Sequence, residues 1–343
     1  MTYDQEKLGV AIVGYGYWGP NLARNTQESP SLWPVRICDL SEVLRAKAAA
    51  KHPQTAVTAS FDDTLEDSAV EAVFIATPPA THFPLALKAL QAGKHVLVEK
   101  PLARTSKECL ALMKEAEKRG RVLMVDHTFA YTGAVRKARE LAASSLGDLL
   151  YYDSVRINLG LFQRDVNVLW DLAVHDLAIL DNVTGLRPVA VSATGLAHVE
   201  GYPANTAYLS LFYEEAFVAH VHCSWMAPVK IRRTLLGGSR KMIVYDDLEP
   251  TEKIKVYDKG ISLNPTDEEK YDMRVDYRTA DVHSPKVVAK EALAALLEEF
   301  ADCVRTGRKP LTDAASGLRV VSILEAADES LRLRGVPMEL SLQ

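Results

Sequence analysis

Two hydrophobic rhythms divide the chain. From Leu8 to about Val125, short apolar runs (LGVAIV, VRICD, VEAVFIA, HVLVE, VLMV) alternate with segments of helical spacing such as ALKALQAGK and CLALMKEAEKRG. Nearly continuous apolar runs suit strands buried on both faces. Their alternation with helices predicts βαβ units, that is, an α/β doubly wound parallel sheet of Rossmann type. After Gly147 the runs DLLYYDSVRIN, VAVSATGLAHV, TAYLSLFY, AFVAHVHCSWM and IRRTLLGG follow one another without intervening helices. This texture predicts an α+β domain with a large, mainly antiparallel open sheet. One helical pattern, WDLAVHDLAILDNV, precedes most of these strands. Two more, KVVAKEALAALLEEFADCVRTG and TDAASGLRVVSILEAADESLRLRG, follow them, each ending at a Gly suited to stop a helix. The boundary is drawn between a first domain over 1–127 and a second over 128–343.

Composition narrows the classes. At 343 residues the chain suits two domains of roughly 100–200 residues each. A net charge of −5 supplies no general basic field for nucleic acid. The cysteines Cys38, Cys109, Cys223 and Cys303 form no CxxC pair, as expected of free thiols in a reducing compartment. MTYDQEKLG lacks a basic region followed by an apolar one, and no run approaches the roughly 18 apolar residues of a membrane span. The expectation is a cytoplasmic protein with no membrane partner.

Candidate chemistry begins at Gly14-Tyr15-Gly16-Tyr17-Trp18-Gly19, directly after LGVAIV, with Pro20 placed for the first turn of a helix. In such a loop the first glycine permits a tight turn, the second lets the backbone approach a pyrophosphate, and the third lets helix and strand pack closely. The helix start then attracts the diphosphate. Asp39 ends VRICD and suits both hydroxyls of an adenosine ribose, but repels a 2′-phosphate. NAD is therefore favoured, with Arg36 and Arg45 keeping an NADP alternative open. Asp39 would otherwise serve as a helix N-cap, although Ser41 can cap the next helix equally well.

Glu99-Lys100-Pro101 ends HVLVE, where ligands bind in open parallel sheets. Lys100 can donate to a substrate oxygen and, if desolvated, exchange a proton near neutrality. In WDLAVHDLAILD, Asp171 and His175 are spaced to share a helix face, and imidazole suits removal of a carbinol proton. A solvated lysine and a structural histidine are the plain alternatives. His220-x-His222 has no third ligand at convincing spacing, so a structural pair is preferred to a metal site and no metal is assigned. Trp225, Tyr208, Phe212 and Tyr213 read as packing residues.

VGYGYWG, IATPPATH, VEKPLA and the Asp171-x-x-x-His175 helix, in this order and followed by an antiparallel half, resemble the glucose–fructose oxidoreductase, inositol dehydrogenase and MocA family. DHTFAY, LGDLLYY, RINLG and RDVNVLWDLAVHDLAIL look like its branch of nucleotide-sugar dehydrogenases and ketosugar reductases. The resemblance implies that Lys100 and His175 are the catalytic pair and that Asp171 holds substrate hydroxyls or the lysine. It also implies that Thr77, Pro78 and His82 line the nicotinamide side, that Glu99 contacts the nicotinamide ribose, and that the Lys100–Pro101 peptide is cis. A homodimer or homotetramer that buries the broad sheet face is implied as well. Asp126 departs from the small residue common before His127. Arg156, Asn158, Arg164 and Asn167 have hydrogen-bonding capacity for a sugar or diphosphate, or are strand-end and surface residues.

The activity expected is NAD(P)-dependent hydride transfer at a carbinol or ketone carbon of a sugar, in particular a nucleotide sugar of the 3-dehydrogenase or 3-ketoreductase type. Alternatives are an inositol or free-sugar dehydrogenase, an NAD-retaining glycosidase or lyase, and a non-catalytic dinucleotide sensor. Lys100, Asp171 and His175 argue against the sensor.

Overall fold

The structure is a computed structural model that describes residues 7–160, 162–258 and 281–340. Most of the N-terminal stretch read for a leader, residues 1–6, lies outside them. Two compact units are formed: residues up to Tyr131 with Lys290–Ser322, and Thr132–Ala289 with the chain from Ile323 onward.

The first unit carries β1 (Leu8–Val13), β2 (Leu32–Cys38), β3 (Ala56–Thr58), β4 (Ala72–Ile75), β5 (His95–Glu99) and β6 (Leu123–Asp126). Their spatial order is β3-β2-β1-β4-β5-β6, and every neighbouring pair is parallel. β1 and β4 are buried along their whole length, which explains their unbroken apolar runs. The order reverses between β1 and β4, the kind of switch point at whose carboxyl ends open parallel sheets bind ligands.

The first unit also takes in the helix Ala292–Thr306, unlike a boundary that assigns all of 128–343 to the second domain. Phe300 is fully buried and meets Phe74 edge to face, with ring centroids 5.1 Å apart. Ser29 and Ser31 donate to the Glu298 carboxylate, and Arg24 pairs with Glu291. An amphipathic pattern shows that a helix has an apolar face but not which sheet that face covers. The helix ends at Gly307, whose φ of +72° is the left-handed stop its position predicted.

Among the described residues the second unit carries nine strands: β7 (Leu149–Leu159), β8 (Pro188–Leu196), β9 (Thr206–Tyr213), β10 (Val218–Ser224), β11 (Met226–Gly238), β12 (Met242–Asp246), β13 (Ile254–Tyr257), β14 (Val282–His283) and β15 (Met338–Glu339). Their order is β14-β13-β12-β11-β7-β10-β9-β8-β15. All pairs are antiparallel except β7 with β10. Along β7, buried Tyr152, Ser154 and Arg156 alternate with more exposed neighbours, the two-residue rhythm of a sheet with unlike faces. The buried side bonds to the helix Val174–Thr184 through Asp176. Among the described residues, no helix is long and apolar enough to cross a membrane.

Candidate active site

In the first unit, β1 delivers the chain to Gly14, whose φ of +92° favours glycine. A Cβ on Gly14 would come within 2.6 Å of the Ala76 carbonyl oxygen, and one on Gly19 within 2.1 Å of the Gly14 carbonyl oxygen. Gly16 differs, because a Cβ there would meet nothing within 4 Å. The protein's own packing does not require glycine at 16, whereas a pyrophosphate approaching the backbone does. Trp18 precedes the helix Gly19–Glu28 without a side-chain cap, and Pro20 lies in the first turn. Trp18 thus does not compete with an anion for the N–H groups of that turn. Tyr17 is exposed.

Asp39 lies just past β2. Its Oδ2 accepts from the Tyr15 backbone N–H at 2.7 Å, and its Oδ1 from Ser41 N–H at 2.8 Å. The carboxylate braces the glycine turn while keeping acceptor capacity for ribose hydroxyls. Ser41 caps the helix Glu42–Lys51. Arg36 is drawn away to Asp67 at 2.7 Å, and Arg45 donates to the Asp39 and Leu40 carbonyls. These residues fit an NAD molecule bound at the ends of β1 and β2.

Beyond β4, Thr77 is half-buried with its hydroxyl bonded to that of Thr81, and Pro78 is exposed. His82 departs from its expected place along the nicotinamide side. It is fully buried, with ring nitrogens 2.7 Å from the Pro101 carbonyl oxygen and 2.8 Å from that of Thr77. It ties the turn after β4 to the turn after β5 instead of presenting a nitrogen to a ligand. Burial pushes its pKa down, against the two carbonyl contacts and with the nearby Lys100 charge.

At the end of β5, Glu99 is bonded to Asp126, its register partner on β6. Desolvation, reinforced by the Asp126 charge, holds the Glu99 carboxyl well above the usual carboxylate range. Desolvation also raises Asp126, partly offset by hydrogen bonds from Thr128, Trp18 and Glu99. Lys100 follows, half-buried, and its peptide bond to Pro101 is cis. The sequence singled out Asp126 only as a departure from the family pattern. Its bonds to Trp18 and Glu99 span distances in sequence that no local motif encodes.

In the second unit, Asp171 lies in a widened π-type turn, Leu169–Ala173, and His175 in the first turn of the α-helix Val174–Thr184. The regular four-residue spacing expected of one α-helix is therefore stretched at Asp171. Such turns occur often at functional sites. Asp171 Oδ2 accepts from the Trp225 indole N–H at 2.9 Å. Trp225 is fully buried, and Gly160 leaves room for its ring: a Cβ there would come within 2.5 Å of it. Read from sequence as packing, Trp225 also orients Asp171. A buried indole N–H needs an acceptor, which was the available signal. His175 is half-buried one residue before Asp176, about 100° round the helix from that sheet-bonded side chain.

Of the proposed substrate donors, Arg156 requires correction. It is 2% exposed, with its Nε 2.6 Å and Nη2 3.2 Å from the Asp176 carboxylate. The Asp176 charge keeps Arg156 protonated despite its desolvation, and the pair joins helix to sheet. The β7 alternation placed Arg156 on the buried face, but the sequence did not identify its partner. Asn167 caps the turn that follows it, accepting from Leu169 N–H, and donates to Asp328 at 2.6 Å. Its polar atoms are committed to structure. Asn158 is half-buried near the end of β7, and exposed Arg164 donates to the Tyr202 hydroxyl at 3.2 Å. The His222 ring stacks on Tyr208, with centroids 4.3 Å apart.

Comparison with known proteins agrees with this architecture. Residues 8–127 match the oxidoreductase family with an NAD-binding Rossmann fold, and residues 113–244 match the Gfo/Idh/MocA C-terminal domain. The UDP-N-acetylglucosamine 3-dehydrogenase of Acidithiobacillus ferrooxidans is 30% identical over 257 residues, covering 74% of this chain and 76% of the relative. Its solved structure superposes with a TM-score of 0.82 at 25% identity, covering 98% of this chain and 99% of that one. The scyllo-inositol 2-dehydrogenase (NAD(+)) of Bacillus subtilis is 23% identical, covering 99% of this chain and 98% of the relative. With both halves matched and the cofactor loop formed, the chain belongs to the Gfo/Idh/MocA family of NAD-binding oxidoreductases.

Proposed function

We propose that this protein transfers a hydride between NAD and a ring carbinol of a nucleotide sugar, at the 3-position, with reduction of the 3-ketosugar as the reverse reaction. The observation that carries this reading is the likeness to a UDP-N-acetylglucosamine 3-dehydrogenase across three quarters of the chain. Bound NAD supplies the hydride acceptor. Gly14, Gly16 and Gly19 admit its diphosphate, and Asp39 takes the ribose hydroxyls and disfavours NADP. Lys100 and His175 exchange the hydroxyl proton, while Asp171, oriented by Trp225, holds a substrate hydroxyl. Glu99 borders the nicotinamide ribose, and Thr77 and Pro78 flank the ring. Arg164 and Asn158 remain the donors proposed for the rest of the substrate.

The assembly is proposed to be a cytoplasmic homodimer or homotetramer. Exposed Tyr208, Phe212, Val218 and Ile231 give one face of the nine-stranded sheet an apolar character that supports such burial. The functional test is a panel of nucleotide sugars, free sugars and inositols with NAD, followed by nicotinamide absorbance. NADH formation with a nucleotide sugar is expected. NADH formed only with inositols would move the substrate assignment, and turnover without net NADH would point to an NAD-retaining lyase or glycosidase.

A further inference from the structure

Glu99 and Asp126 stand opposite each other on neighbouring parallel strands, so their side chains project from the same face of the sheet. Asp126 is 2% exposed. Two donors converge on it: the Trp18 indole N–H on Oδ2 at 2.9 Å and the Thr128 hydroxyl on Oδ1 at 2.5 Å. An indole nitrogen only donates, so Asp126 must accept there. The Glu99 carboxyl is also hydrogen-bonded to Asp126, and two ionised carboxylates have no hydrogen to share.

We propose that Glu99 and Asp126 hold a single proton, resident on Glu99, and that Asp126 is a positioning residue tying the glycine turn at Trp18 to the ends of β5 and β6. The negative charge then sits on Asp126, where three donors meet, and Glu99 is a neutral acid whose hydroxyl is spent on Asp126. Burial and the like charge of Asp126 favour this proton, whereas the neighbouring Lys100 favours ionised Glu99. His127, which follows Asp126, is buried as well. Two carboxylates this close do not readily ionise together. If the end of β5 is the nicotinamide side, as in the function proposed above, the cofactor meets one negative charge there instead of two, and Glu99 offers it a carbonyl oxygen.

The proton count is tested on cofactor-free protein, and so stands or falls separately from the enzyme's substrate. In the infrared spectrum near neutral pH, wild type minus Glu99→Gln should show the carbonyl-stretch band of a neutral carboxylic acid. Carbon-13 labelling of glutamate should shift that band, and labelling of aspartate should leave it in place. In Asp126→Asn the pH at which the band disappears should fall, because the like charge opposing ionisation is gone while the desolvation remains. No band in the wild-type difference, or a band that shifts with aspartate labelling, would overturn the assignment. For the positioning role, Trp18→Phe and Asp126→Leu should weaken NAD about tenfold in calorimetric titration. Asp126→Asn, which keeps an acceptor for the indole, should recover most of that loss. Equal weakening by Asn and Leu, or unchanged affinity in Trp18→Phe, would remove the tie from the account.

Discussion

Replacing Gly16 with alanine separates ligand chemistry from folding. A Cβ at Gly16 has nothing within 4 Å, and the residue is not among those with positive φ. Alanine should therefore fit the native backbone and add about 0.4–1 kcal/mol of stability through the unfolded chain. The same methyl occupies space into which a pyrophosphate must come. Steric intrusion of one carbon costs about 1–3 kcal/mol, which is roughly 5- to 150-fold in affinity at 1.4 kcal/mol per tenfold. Gly19→Ala provides the contrast, since its Cβ would lie 2.1 Å from the Gly14 carbonyl oxygen and should destabilise the fold directly. Thermal unfolding and calorimetric NAD titration of both variants decide the matter. A Gly16→Ala protein that binds NAD as tightly as wild type would refute the placement of the diphosphate on this loop.

Four further outcomes are expected. Lys100→Ala should keep NAD binding and lose roughly 10²–10⁴ in turnover, the usual share of a positioned proton-transfer group; near-normal turnover would remove Lys100 from the chemistry. Asp39→Ala should weaken NAD and narrow its advantage over NADP, as read by paired titrations, and an unchanged ratio would deny Asp39 the discriminating role. Arg156→Met leaves Asp176 buried without its cation, so denaturant unfolding should show a loss of about 3–5 kcal/mol; a Michaelis constant raised at unchanged stability would return Arg156 to the substrate. Because folding raises the Glu99 and Asp126 carboxyls, the folded protein holds more protons than the unfolded chain between the ordinary carboxylate range, about 4, and the folded ionisations. Their contribution therefore falls as pH rises through that window. Glu99→Gln should flatten part of this decline in melting curves, and parallel curves for the two proteins would contradict the raised carboxyl.

The sequence exposes local regularities more readily than distant partners. Five of the six parallel strands were legible because burial leaves long apolar runs, whereas β3, three residues with none of them buried, leaves no such run. The glycine turn was legible because its glycines recur at a fixed local spacing directly after an apolar strand, although the Ala76 carbonyl that crowds Gly14 lies far along the chain. Arg156 misled because a buried guanidinium and a substrate-binding one are the same letter, and the distinction rests on Asp176, in a different element. His82 misled similarly, since its two carbonyl partners lie on separate turns. The helix Ala292–Thr306 shows the same limit at larger scale: its apolar stripe was plain, but its place against Phe74 depends on a return of the chain to the first unit.

The proposed reaction passes a carbinol hydrogen of a nucleotide sugar to NAD. Its most direct measurement uses UDP-N-acetylglucosamine deuterated at C3, with the fate of the deuterium followed by mass spectrometry of the nicotinamide product. That reaction should place deuterium on the reduced nicotinamide ring together with formation of a 3-ketosugar. Turnover that releases the C3 deuterium to solvent, or no turnover of any nucleotide sugar while an inositol delivers its carbinol deuterium to NAD, would contradict it.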